Sequence, residues 1–451
     1  MVRNGRTYIL RQVSPCILSH GVRSIGETNI FLTSAKRDMT QTQLPNSARL
    51  KLDLMFHGIH YTEALGRAAG HAFPNFYPYR FQPGEHDPTG KGKAVIPYAL
   101  TLADGTVIRI KGSGESPWGV SGDLQSGYAL GEDGNATTMA VSFEPLPRWM
   151  GLQTSDGFPM SKTGIELLGD LAVINLAPGC EYFLHKQDGV SMRCNFCAYG
   201  APDERVAHLG QKIGEVSLPA LTYARMRETL QAVLDEGGIH HLYLVGGSLT
   251  DWREEGERYL EMARQVQAVN RHCLPLSCGS GALPEDILRT LHAEGLVDNV
   301  CFNLEVWSEP LFAKVCPGKN HYVGYGRWLE SLETAVGLWG RGHVYTAMVA
   351  GIELEPDYGM DWDEAAALAV AGAEALCSRG IIPIYSLYWP VGGREHPDYM
   401  SRLRSYFETL NLRYHALRKQ YGLQISESFM CHRCAFMQME CDIDRLAGGE
   451  A

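Results

Sequence analysis

Between residues 168 and 399, short apolar runs alternate with amphipathic helical patterns, and this alternation constrains the fold more than any other feature of the chain. Six runs read as buried strands: Leu171–Leu176, His241–Val245, Leu274–Cys278, Asn299–Leu304, Val344–Ala350 and Ile382–Tyr388. Helical periodicity fills the gaps at Pro219–Glu236, Glu254–Asn270, Pro284–Glu294, Tyr325–Gly340 and Trp362–Ser378. Parallel neighbours need a crossover of a dozen or more residues, and right-handed helical connections supply it. The pattern predicts an α/β region with parallel strands. By itself it fits an open sheet as well as a partial barrel.

The flanks read differently. Residues 1–48 are polar and aperiodic and are expected to be a poorly ordered extension. Residues 1–38 are Arg-rich and acid-poor, a weak likeness to a transit segment, and the expected reading is a poorly ordered extension, with Met39 as an alternative start. No apolar stretch follows the early arginines, so a secretory signal is not expected and a reducing cytoplasm is the expected compartment. Residues 49–167 read as an α+β accessory region. It has helical spacing over 50–69, with His57 and His60, and strand-like runs at Ala94–Leu102 and Thr106–Lys111 split by an Asp-Gly turn. The Gly- and Ser-rich residues 112–135 are expected to be loop. After the α/β region, residues 400–451 give a further amphipathic helix and a Cys-rich tail.

Composition removes several function classes. Of the 451 residues 45% are hydrophobic and 20% charged, as in ordinary globular proteins. No apolar run approaches the ~18–20 residues of a membrane span. A net charge of −11 without a basic cluster argues against a nucleic-acid partner. Gly112-Ser-Gly114 lacks the third glycine and helix of a dinucleotide fingerprint, and no Asp-x-His-x-x-Gly marks a base-off cobalamin domain.

The twelve cysteines are unevenly placed. Cys180 follows the first strand, and thirteen residues later comes Cys194-Asn-Phe196-Cys197. Ligands of parallel α/β folds bind beyond the carboxyl ends of strands, and three thiolates leave one coordination position open, the mark of a catalytic centre. The alternative is a closed zinc site completed by His185. The second strand ends in Gly246-Gly247-Ser248, where a ligand can approach the backbone closely. Asn303 and Glu305 flank Leu304 and so share one face, which suits a ribose or an ammonium group. Gly351-Ile-Glu353 again puts a glycine and an acid just past a strand.

In these elements, over about residues 168–395, the chain resembles the radical S-adenosylmethionine (SAM) superfamily, with features similar to biotin synthase. Cys194-Asn-Phe196-Cys197 resembles the second half of the superfamily's Cys-x3-Cys-x2-Cys motif, here with thirteen residues in the first gap. Gly246-Gly247-Ser248 resembles the turn whose backbone holds the methionyl ammonium, and Asn303-Leu304-Glu305 the element touching the ribose and aminoacyl part of SAM. Ser280–Gly295 is similar to the corresponding stretch of biotin synthase. Gly351-Ile-Glu353 resembles the Gly-x-x-Glu element near the adenine, shorter by one residue.

The resemblance implies a partial (β/α)6 TIM-like barrel at 168–399. A [4Fe–4S] cluster would sit on Cys180, Cys194 and Cys197, and SAM would lie against Phe196, Tyr199, Gly246, Gly247, Ser248, Asn303, Glu305, Gly351 and Glu353. It further implies an electron donor such as flavodoxin or ferredoxin. Reductive cleavage of SAM would most often give a 5′-deoxyadenosyl radical that abstracts hydrogen from a small molecule. Aminocarboxypropyl or methyl transfer is the alternative within the class, and a non-catalytic iron–sulfur or zinc protein the alternative outside it. Tyr385, Tyr388 and Arg394 are candidate substrate contacts at the mouth. The tail motif Cys431-His432-Arg-Cys434, with Cys441 six residues on, reads as an auxiliary iron–sulfur cluster, a zinc site using His432, or substrate-binding thiols. The oligomeric state is left open.

Overall fold

The computed structural model describes residues 43–75, 77–197, 214, 216–388 and 397–447. Of the anticipated site residues, Tyr199 and Arg394 lie outside these, as does nearly all of the N-terminal extension.

The alternating region folds as a curled half-barrel of seven strands: β1 Ile165–Leu168, β2 Leu171–Ala177, β3 His241–Gly246, β4 Leu276–Ser280, β5 Asn299–Phe302, β6 Val344–Ala350 and β7 Ile382–Leu387. They are ordered in sequence across the sheet. β2 to β7 pair in parallel, so the six expected strands form a partial (β/α)6 barrel. β1 is a seventh, antiparallel strand that the alternation did not reveal, because only Gly169 and Asp170 separate it from β2. The hairpin needs Gly169 at φ +57°, with its Cα face against the Arg433 carbonyl.

The crossovers are helices α1 Ala220–Glu236, α2 Trp252–Gln267, α3 Glu285–Ala293, the short pair α4 Glu309–Val315 and α5 Pro317–Tyr322, α6 Tyr325–Trp339 and α7 Trp362–Ser378. Asp251 and Asp361 cap α2 and α7 by accepting from first-turn amides. One face of the sheet is largely apolar: Leu242, Leu244, Leu276, Val300, Phe302 and Val344 share it and are all fully buried.

The accessory region is a helix, Asn46–His57, a short helix, Glu63–Ala68, and a five-stranded antiparallel sheet. Residues 112–135, expected as loop, contain one of its hairpins, Trp118–Asp123 paired with Gly127–Glu132. The glycines and serines there serve the turn and the exposed face, while Val120 and Leu130 alternate inward to the core. After α8, Pro397–Gln420, the tail ends in α9, Glu440–Ala447. Asp442 of α9 accepts a hydrogen bond from Lys51 at 2.6 Å in a fully buried ion pair that ties the tail to the first helix. Among the described residues, no helix is long and apolar enough to cross a membrane.

Candidate active site

The carboxyl ends of β2 to β7 open onto a cavity of about 550 Å³. Cys180, Cys194 and Cys197 line it together with Phe196, Gly246, Gly247, Ser248, Asn303, Glu305 and Tyr388. The three cysteines are not disulfide-bonded. Ligands of a single zinc ion lie about 4 Å apart, given Zn–S bonds of about 2.3 Å. Among the described residues the three thiols do not converge within 4.8 Å as the ligands of one ion would, yet all three line one cavity. Three thiols on one cavity wall could hold a cluster and leave one corner open toward the cavity.

Local packing explains the sequence. Cys180 leaves β2 through Pro178-Gly179, and the Gly246-Gly247-Ser248 turn lies directly on it: Glu181 N–H donates to Ser248 O at 2.8 Å. A Cβ on Gly247 would fall 2.1 Å from Gly179 O and 2.5 Å from Cys180 N, so only glycine permits this approach. Two buried residues of α2 hold the turn. Arg258 donates to Gly247 O, and Glu255 accepts from Leu249 N and Gly281 N, both at 2.9 Å. Gly279 leaves room for the Tyr243 hydroxyl, which fills the barrel floor.

The opposite wall is Asn303, Glu305 and Lys319. Glu305 sits at φ +71° and bridges β6, its N–H donating to Ala347 O at 2.9 Å. Lys319 Nζ donates to Glu305 Oε1 and to Asn303 O, each at 2.6 Å. Burial opposes the lysine's charge, but Glu305, with Cys194 and Cys316 near it, drives its pKa upward. Cys316 donates to Cys194, and this hydrogen bond, with Lys319, lowers the Cys194 pKa against the effect of burial. Burial raises the Cys180 thiol to about 12, so its thiolate needs a cation beside it.

Sequence reasoning missed Lys319, Cys316, Ser280 and Ser386 at this site. Cys316 joins two short helices, and Lys319 lies in the second, elements that no periodicity announced. Other anticipated residues sit elsewhere. Gly351 and Glu353 do not line the cavity: Glu353 turns toward α8, where it accepts from the Tyr406 hydroxyl and from Gly351 N–H. Tyr385 follows the pleat outward, opposite Ser386, and its hydroxyl donates to Ala369 O of α7 at 3.4 Å.

The tail cysteines lie at the other end of the barrel. Cys431 and Cys434 meet Asp170, before β2, and His241, the first residue of β3. Cys441 is outside this group, its thiol 3.7 Å from Met430 O. His185 pairs with Glu181 at 3.7 Å.

No family model matches the chain. A stretch of 285 residues, 61% of the chain, is 24% identical to the bacteriochlorophyllide c C-7(1)-hydroxylase of Chlorobaculum limnaeum and spans 65% of that protein, just under two thirds of its length. Among solved structures, a radical SAM methyltransferase from Sphaerobacter thermophilus aligns at 13% identity with a TM-score of 0.35, over 72% of this chain and 82% of that one. The half-barrel and its strand-end motifs are the arrangement that the resemblance to the radical SAM superfamily implies, and the chain is similar over 61% of its length to the hydroxylase.

Proposed function

We propose that Cys180, Cys194 and Cys197 hold a [4Fe–4S] cluster and that the adjoining cavity binds SAM for reductive cleavage, with a flavodoxin or ferredoxin as donor. The observation that carries this reading is one cavity lined by all three thiols, the Gly-Gly-Ser turn and Asn303. A cluster held there would supply the low-potential electron that cleaves the sulfur–C5′ bond of SAM into methionine and a 5′-deoxyadenosyl radical, which would take a hydrogen atom from a small molecule. The similarity to a hydroxylase favours hydrogen abstraction over group transfer.

The chain's own part is binding and shielding. The turn at Gly246–Ser248 offers backbone groups to the methionyl end of SAM, braced from behind by Glu255 and Arg258. Asn303 faces the cavity for the ribose. Glu305 neutralises Lys319 rather than SAM, so its role is to set the wall and the charge around Cys194. Ala347, Val349 and Leu387 keep the floor apolar and exclude water.

The test is anaerobic reconstitution with iron and sulfide, then SAM and a low-potential reductant, with products identified by mass spectrometry. 5′-Deoxyadenosine from the wild-type protein, absent from Cys194→Ala, supports the proposal. Methylthioadenosine would replace it with aminocarboxypropyl transfer, and failure to assemble any cluster would sink it.

A further inference from the structure

We propose that Asp170, His241, Cys431 and Cys434 bind one zinc ion that fastens the C-terminal tail to the amino-terminal end of the half-barrel. One ligand atom from each of the four lies within 4.8 Å of the others, and all four residues are buried. Two thiolates, an imidazole and a carboxylate form a borderline-soft tetrahedral set that suits zinc over magnesium or calcium.

The surroundings leave room for a cation's demands. His241 is 1% exposed, and neither ring nitrogen makes a well-formed hydrogen bond, although Nε2 lies 3.4 Å from Asp170 Oδ1. A buried imidazole so placed is costly unless something else meets its lone pair. Asp170 is divided between two tasks. Its Oδ2 accepts from Arg433 Nε at 2.6 Å and faces His240 Nδ1 at 3.1 Å, while Oδ1 turns to Cys431 Sγ at 3.1 Å. The Cys431 amide donates to Cys434 Sγ at 3.2 Å, as suits a thiolate ligand. Binding releases the two thiol protons to solvent. Zinc with two thiolates and one carboxylate carries a single negative charge, which Arg433 offsets.

Four protein ligands leave no open position, so the site is structural. Its place in the fold gives the purpose. Asp170 immediately precedes β2 and His241 opens β3, while Cys180 follows β2 by three residues and the Gly-Gly-Ser turn closes β3. At about 3.3 Å per residue, the zinc and the cavity lie on the order of 20 Å apart, at opposite ends of the same two strands. Zinc binding therefore does not depend on the SAM reading, and the two proposals can fail separately.

The experiment is metal quantitation by plasma mass spectrometry on the full chain. The expected result is one zinc per chain in addition to cluster iron. The variant lacking Cys180, Cys194 and Cys197 should keep its zinc and lose its iron, and Cys431→Ala/Cys434→Ala should do the reverse. Should that double variant not fold, zinc K-edge absorption on the unaltered protein should show two sulfurs near 2.3 Å and two nitrogen or oxygen ligands near 2.0 Å. Wild-type protein without zinc after expression in zinc-replete medium would overturn the proposal. So would iron that disappears with the tail cysteines, which would mean an auxiliary cluster.

Discussion

Lys319 Nζ lies 2.6 Å from Glu305 Oε1, and both side chains are about nine-tenths buried in the wall that faces the three cysteines. The lysine also holds the Asn303 carbonyl and stacks over Trp328. One residue thus fixes the strand end that carries two of the cavity's polar groups. Removing one partner of such a pair strands a buried charge, at about 3–5 kcal/mol. Lys319→Met should lose about that much in equilibrium denaturation. The double variant Lys319→Met/Glu305→Gln should recover most of it, and a double variant no more stable than the single one would mean that the ion pair is not what holds the wall.

Gly247→Ala isolates the packing between the Gly-Gly-Ser turn and the Cys180 loop. Its φ is unremarkable, so any effect comes from the clash with Gly179 O and Cys180 N. Overpacking of this kind costs about 1–3 kcal/mol. The shift also falls on the first cluster ligand, so iron per chain should drop well below that of Gly246→Ala, whose new methyl meets nothing nearer than 3.2 Å. Equal iron in the two variants would show that the turn does not position Cys180.

The half-barrel was legible because its signal is local: a buried parallel strand is a short apolar run, and six such runs with helices between them leave few topologies. Most boundaries fell within one or two residues, as at Leu276–Ser280 against the expected 274–278. Cys180, Gly246–Ser248 and Asn303 were legible because each sits within a few residues of a strand end, and Cys194 and Cys197 because of their Cys-x2-Cys spacing. Glu353 and Tyr385 were misplaced for different reasons. For Tyr385 one residue of pleat decides between cavity and helix layer, whereas Glu353 lies in a 3-10 turn, Ile352–Leu354, entered through Gly351 at φ +97°, and the sequence states neither. Lys319 and the Asp170–His241–Cys431–Cys434 group were illegible because their partners are far apart in the chain, 14 residues in one case and 261 in the other.

Cys316 donates to Cys194 and is fully buried. If Cys194 holds the proposed cluster, Cys316 supports that ligand rather than acting as one, and Cys316→Ala should keep the full iron content after reconstitution. Hydrogen bonds to cluster sulfurs raise the reduction potential. The variant's cluster should therefore be harder to reduce, as a redox titration followed by electron paramagnetic resonance would show. Loss of iron in this variant would instead make Cys316 a ligand.

Glu353 offers a pH test that avoids the metal sites. Burial raises its pKa from 4.5 to about 7, against the hydrogen bonds from Tyr406 and Gly351. The folded carboxyl therefore keeps its proton where the unfolded one has released it. Its contribution to stability is full below pH 4.5 and is lost as pH rises through about 7, in total about 3 kcal/mol at 1.36 kcal/mol per unit. Glu353→Gln keeps the shape without the titration. Denaturation from pH 5 to 8 should show the variant gaining on the wild-type protein as pH rises, with the difference levelling off near pH 8. Parallel stability curves for the two proteins would mean that Glu353 does not titrate in this window.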